Sequence, residues 1–246
     1  MTVEDRGLAR IGVLVPFTNT NLEPDLMRMR VPGTTLHAQR MGGYDADEVP
    51  GADQMAGLGT SDISHDLRMI AGVRPDIVLY GCTSATLTHG PKFDTNLRKS
   101  IADTCGARCV TAAGALVSVL QALGVRRVGF SSPYLGEINQ QAARFLESNG
   151  VETACCVDIG RELGNYGQGE LRPDEIHDLA CRADHPMAEA IVLSCTDMRS
   201  VEVIEEVEAE LGKPVVTSNQ AMMFCVLRAL GLPRHSMLPG RLFDCL

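Results

Sequence analysis

The sequence predicts an α/β protein made of two similar, doubly wound parallel-sheet halves, related by an approximate two-fold axis, with the candidate active site between them. Two observations carry that prediction. Short Val- and Ile-rich runs alternate with longer segments of helical period, the pattern of parallel strands covered by helices on both faces. The chain also repeats itself: Pro75-Asp76-Ile77-Val78-Leu79-Tyr80-Gly81-Cys82-Thr83 is echoed by Ala188-Glu189-Ala190-Ile191-Val192-Leu193-Ser194-Cys195-Thr196. The echo extends both ways. Ile11 to Pro16 matches Val128 to Pro133, and Cys109-Val110-Thr111 with Ala122-Leu123-Gly124 matches Val215-Val216-Thr217 with Ala229-Leu230-Gly231.

Taken in order, the first half reads as strand 10–15, strand 34–40, helix near 60–73, strand 76–81, helix near 91–104, strand 108–111 and helix 112–123. The second reads as strand 127–131, helix 135–149, strand 152–158, helix 173–183, strand 190–194, helix 199–211, strand 214–217 and helix 220–230. Gly124 and Gly150 are placed to stop the helices before them. The boundary between halves 1–124 and 125–246 is set at Gly124, with helices free to pack across it. The glycine-rich stretches 42–59 and 164–169 follow the second strand of each half and read as loops, candidate lids over a cleft.

Composition narrows the function classes. The chain has 246 residues, 45% hydrophobic and 22% charged, with a formal net charge of −9 and no basic block, so neither nucleic acid nor an anionic membrane is an expected partner. No apolar run reaches the ~18–20 residues of a membrane span, and residues 1–10 lack a signal-peptide core, so a cytoplasmic location is expected. The nine cysteines are odd in number and irregularly spaced, without a CxxC pair or a completed zinc set, and most are expected to be small buried hydrophobes. No metal and no cofactor is expected, because glycine-rich dinucleotide, phosphate-loop and His-Glu-x-x-His motifs are all missing.

Open parallel sheets bind ligands at the carboxyl ends of their strands. Cys82 and Cys195 each stand at such an end, before a Thr and a helix start, where backbone N–H groups favour a thiolate. A single such cysteine is more often a core residue; its recurrence in the second half points to two thiols facing one cleft. Thr83, Ser84, Thr196 and Asp197 offer hydroxyls and N–H groups for a carboxylate, although helix capping explains them equally well. Asn19 and Tyr134 follow matching strands and point toward the same cleft. His89 is a weak candidate partner for Cys82, and a solvated histidine is the plainer reading.

Gly81-Cys82-Thr83-Ser84, Ser194-Cys195-Thr196 and Val15-Pro16-Phe17-Thr18-Asn19-Thr20 resemble the aspartate/glutamate racemase superfamily, in the maleate cis-trans isomerase and arylmalonate decarboxylase branch. The resemblance spans essentially the whole chain. It implies two similar α/β domains, no cofactor and a small carboxylate substrate. It assigns Asn19, Tyr134 and Asn165 to substrate binding, Cys82 as nucleophile and Cys195 as acid/base. Thr196-Asp197 departs from the maleate isomerase pattern and is closer to amino-acid racemases, where an acid meets the substrate amine. The region 194–219 is also similar to proteins of ectoine-utilisation clusters. Arylmalonate decarboxylases keep only the second cysteine, so Cys82 argues against that activity.

The leading expectation is therefore a cofactor-independent isomerase of a small dicarboxylate such as maleate. The alternative is an amino-acid racemase or epimerase, with Asp197 as ammonium anchor. A malonate-type decarboxylase and a non-catalytic two-domain binding protein rank lower. A homodimer is compatible with a small α/β enzyme.

Overall fold

The computed structural model describes residues 6–42 and 51–246. It contains two four-stranded parallel sheets of identical topology. The first has strand order β2-β1-β3-β4, from Gly33–Met41, Arg6–Pro16, Ile77–Tyr80 and Arg108–Thr111. The second has order β6-β5-β7-β8, from Glu152–Val157, Arg127–Ser131, Ala190–Leu193 and Val215–Thr217. All eight predicted strands form. The register of the repeat is kept as well: Leu14 pairs with Tyr80 and Ser131 with Leu193, each partner lying two residues before its cysteine.

Side-chain alternation buries both faces of the first sheet. Ile11, Val13, Val15, Ile77 and Leu79 join one core cluster, while Leu14, Val78 and Tyr80 join another on the opposite face. Helices α3 (Ser64–Ala71) and α5 (Pro91–Cys105) cover the second face; α1 (Leu22–Met29) and α6 (Ala112–Ala122) bury residues in the first cluster. In the second half α7 (Gly136–Ser148), α9 (Pro173–Arg182), α10 (Ile204–Leu211) and α11 (Ser218–Leu230) play the corresponding parts. Matching threonines cap α6 and α11: Thr111 Oγ1 accepts from Gly114 N and Thr217 Oγ1 from Gln220 N, each at 3.1 Å. These two helices pack on each other and on both β4 and β8, so helices do pack across the middle of the molecule. Gly124 has φ +70°, the left-handed stop that its position predicts.

Several elements differ from expectation. The segment after β1 forms α1, whose start is fixed by Asn19 Oδ1 accepting from Leu22 N at 2.9 Å. Pro24 falls in its first turn, where no backbone N–H is needed for the helix ladder. The stretch 42–59 is not simply a loop: residues 43–50 lie outside the described residues, and Ala52–Thr60 is a helix, α2. Its Gly59 is there for packing, since a Cβ would stand 2.5 Å from the Ala85 carbonyl. A short helix, α4 (Thr83–Leu87), follows Cys82 directly, and α8 (Gly167–Glu170) lies in the second stretch read as a loop. The predicted helix 199–211 begins as a 3-10 turn at Ser200–Val203 before α10. The cysteine expectation fails in an informative way. Only Cys82 and Cys195 are buried; the other seven are partly or fully exposed, and all nine are free thiols.

Candidate active site

Cys82 and Cys195 line one cavity at the carboxyl ends of β3 and β7. Its empty volume is about 410 Å³, open mouth included. Cys82 is 5% exposed and Cys195 2%, so solvent is largely excluded from both sulfurs.

The first cysteine is set by a tight strand exit. Gly81 continues the β1 ladder, its N–H donating to Leu14 O at 2.9 Å; a Cβ there would meet Leu22 Cδ2 at 2.3 Å. Cys82 then caps α4. Burial raises its thiol pKa, opposed by hydrogen bonds from the Ala85 N–H, the Ser84 hydroxyl and the Ser84 N–H. Cys195 leads into a turn instead of a helix. Burial first, and the neighbouring Asp197 carboxylate second, push its thiol up to about 12, although the Asp197 N–H donates to Sγ at 3.3 Å.

Tyr134 stands between the two. Its hydroxyl lies 3.7 Å from Cys195 Sγ and 3.4 Å from Ser84 Oγ, and Ser84 Oγ lies 3.7 Å from Cys82 Sγ. The Tyr134 backbone is held by Ser132 Oγ, which accepts from its N–H at 3.1 Å, and by Asn139 Nδ2, which donates to its carbonyl at 3.1 Å. Burial, with the two thiols adding to it, raises the phenol pKa, so Tyr134 remains a proton donor.

Hydrogen bonds lock the turns of the two halves to one another. Thr196 Oγ1 donates to Gly81 O at 2.8 Å, and Asn19 Nδ2 donates to Thr196 Oγ1 at 3.0 Å. Thr83 Oγ1 donates to Ser218 Oγ at 2.9 Å. Asp197 Oδ1 accepts from Thr20 N at 2.8 Å and from Asn21 N and Nδ2 at 3.1 Å each, which ties the turn after β1 to the turn after β7. Burial raises the Asp197 pKa against the lowering effect of these bonds.

Every site residue expected from the sequence lines this cavity except Ser84, which sits behind it with its Oγ 2.8 Å from Met55 Sδ. His89 is not a partner of Cys82: its Nε2 lies 2.9 Å from Ala56 O and its ring stacks on Phe93. Sequence reasoning missed Met55 and Leu58, the apolar wall supplied by α2, and Gln168 of α8, whose Nε2 donates to Gly164 O at 3.1 Å. The spacing of Met55 and Leu58 was the available signal. Arg40 was missed too; it donates to the Asn19 and Pro16 carbonyls and steadies the turn carrying Asn19. Among the described residues, His177, Cys181 and Glu210 form the only cluster able to hold a metal ion, and none of them lines the cavity.

The profile of the arylmalonate decarboxylase family matches residues 11–243. The chain belongs to that family. The arylmalonate decarboxylase of Bordetella bronchiseptica is 32% identical, with 94% of this chain and 92% of that one covered. The maleate isomerase of Nocardia farcinica is 28% identical, with 96% of each chain covered. Among solved structures, a cysteine-to-serine mutant of the Nocardia farcinica maleate cis-trans isomerase, with a covalently bound succinylcysteine intermediate, superposes with TM-score 0.87 at 26% identity, covering 96% of this chain and 98% of that chain. A glycine-to-cysteine mutant of arylmalonate decarboxylase gives 0.78 at 27% identity, covering 96% and 99%. Identity thus favours the decarboxylase slightly and overall shape the isomerase, so the family leaves the choice of reaction to the side chains in the cavity. This is the branch of the aspartate/glutamate racemase superfamily that the cysteine motifs indicate. Among the described residues no helix is long and apolar enough to cross a membrane.

Proposed function

We propose that this protein is a cofactor-independent cis-trans isomerase of a small dicarboxylate, maleate or a close analogue. The observation that carries the proposal is the pair of buried thiols on one small cavity, bridged by Tyr134 and unequal in their neighbours. The maleate isomerase relatives, and the succinylcysteine trapped in one of them, support it.

In this mechanism Cys82, surrounded by N–H and O–H donors, supplies the thiolate and adds to one alkene carbon. The alkene electron pair moves into the adjacent carboxylate as an enolate. The Cys195 thiol, which burial and then Asp197 keep protonated, delivers its proton to the neighbouring carbon and completes a succinyl thioether. Rotation about the new single bond follows. The Cys195 thiolate then removes the proton, the double bond re-forms as trans, and the C–S bond breaks to restore the Cys82 thiolate. Asn19, Thr83, Tyr134, Asn165 and Thr196 serve the two carboxylates and the developing enolate. Met55 and Leu58 exclude water from the carbanion-like state. The halves 1–124 and 125–246 act as the two walls, with α6 and α11 shared between them.

Proton NMR of maleate with the enzyme tests the proposal: the trans isomer should accumulate without any added cofactor. No conversion of maleate or of related unsaturated dicarboxylates would refute it. Racemisation of an amino acid is the second reading, favoured by the carboxylate of Asp197 on the cavity wall. It requires α-proton exchange of an amino acid in heavy water. The three N–H groups already on Asp197 Oδ1 make that residue a bracket between turns in preference to an ammonium anchor.

A further inference from the structure

We propose that Asp25 and Asn219, neither of which lines the cavity, are positioning residues: a buried carboxylate–amide pair that fixes the Cys195 turn against the Cys82 turn. Asn219 lies in the first turn of α11 and is fully buried. Its Nδ2 donates both to Asp25 Oδ2, at 2.7 Å, and to the Thr196 carbonyl, at 3.1 Å. Both partners are acceptors, which fixes the amide orientation; Asn219 Oδ1 has no partner among the described residues. The residue before it, Ser218, accepts from Thr83. One helical turn therefore touches the residue that follows each cysteine, while Thr196 donates across to Gly81.

Repetition in the chain supplies an internal control. After the capping threonine, α11 begins Ser218-Asn219, whereas α6 begins Ala112-Ala113. The fold at this position is thus satisfied by two alanines, and a buried acid–amide pair is an addition that burial makes costly. Asp25 is 6% exposed. Burial, the dominant cause, raises its carboxyl to about 7; the Asn219 hydrogen bond opposes this. The charged groups that face it are Glu202 and Arg199 from the turn after β7 and Arg28 on its own helix. Ionised, Asp25 grips the amide with a charge-assisted bond. Protonation weakens that grip, so the hold on the Asn219 amide tightens as pH rises through about 7, although ionising this buried carboxyl costs the fold stability.

The functional side rests on the isomerase proposal, so the test uses two readouts. The first needs no substrate: rates of iodoacetamide labelling at Cys82 and Cys195, resolved by peptide mass spectrometry from pH 5.5 to 9. The second is kcat and KM with maleate over the same range. Asn219→Ala should change the Cys195 labelling rate about tenfold and lower kcat about 10²-fold with KM changed less than threefold, the loss expected for a small misplacement. The near-isosteric Asp25→Asn should fold normally and remove the inflection near pH 7 from both readouts. In a 13C NMR titration, Asn219→Ala should move the Asp25 carboxyl pKa further upward. Labelling rates and pH profiles within twofold of wild type in both variants would overturn the proposal. Altered labelling in a protein that does not turn over maleate would uphold the pair and overturn the isomerase assignment instead.

Discussion

The two halves carry the same strand-end cysteine and give it different surroundings. After β3 the chain enters a helix at once, and the Cys82 sulfur receives hydrogen bonds from two backbone N–H groups and the Ser84 hydroxyl, with no carboxylate among its perturbing neighbours. After β7 the chain turns, and the Cys195 sulfur shares its surroundings with Asp197, which adds to burial in holding it protonated to about pH 12. Burial raises both thiols; the donors or the carboxylate beside each decide which ionises first. Duplication supplied the matched positions, and local divergence supplied the distinct chemistry that an addition–protonation cycle requires.

The largest effect should come from removing the thiolate side of this contrast. Cys82→Ala should lower turnover of maleate by on the order of 10⁴-fold or more while leaving circular dichroism unchanged. Removing the acid side with Cys195→Ala should cost about 10²–10⁴-fold. Equal residual rates of wild-type size in either variant would erase the division of labour. Tyr134→Phe keeps the ring and deletes the hydroxyl that meets both sulfur environments; a loss of about 10²-fold in kcat is expected, and a loss under twofold would remove it from the chemistry.

How much of this contrast could be read from the chain depended on range. The strands and the Gly124 stop were legible because each depends on a few adjacent residues. Helix α2 was not, because Gly57 and Gly59 imitate loop composition although Gly59 is demanded by the approach to α4. With α2 went Met55 and Leu58, and hence one wall of the cavity. Most of the candidate site was visible through the two cysteines and the polar residues beside them. The Asp25–Asn219 bond spans 194 residues of sequence, and nothing local to either residue announces it.

Smaller effects sharpen the comparison. Asp197→Asn removes the charge that raises Cys195 while keeping an acceptor for the Thr20–Asn21 turn. The Cys195 pKa should fall, so the alkaline limb of the activity profile should move to lower pH; thiolate absorbance would report the same shift. An unmoved limb would show that Asp197 is only a bracket.

The smallest effect concerns stability. The Asp25 pKa in the folded protein, about 7, exceeds its ordinary value of 3.8, so its contribution is present at low pH and is lost as pH rises through about 7. Asp25→Asn, which cannot ionise, should therefore raise Tm above pH 8, by about 5 °C, and change it little near pH 4. A lower Tm at pH 8 would contradict that sign.

The unequal roles of the paired sulfurs can be tested most directly by trapping. Cys195→Ser, incubated with maleate and digested for mass spectrometry, should carry one substrate molecule bonded to Cys82 and none elsewhere, and Cys82→Ala should carry none. An adduct on residue 195 of a Cys82 variant, or full turnover without Cys82, would contradict the account.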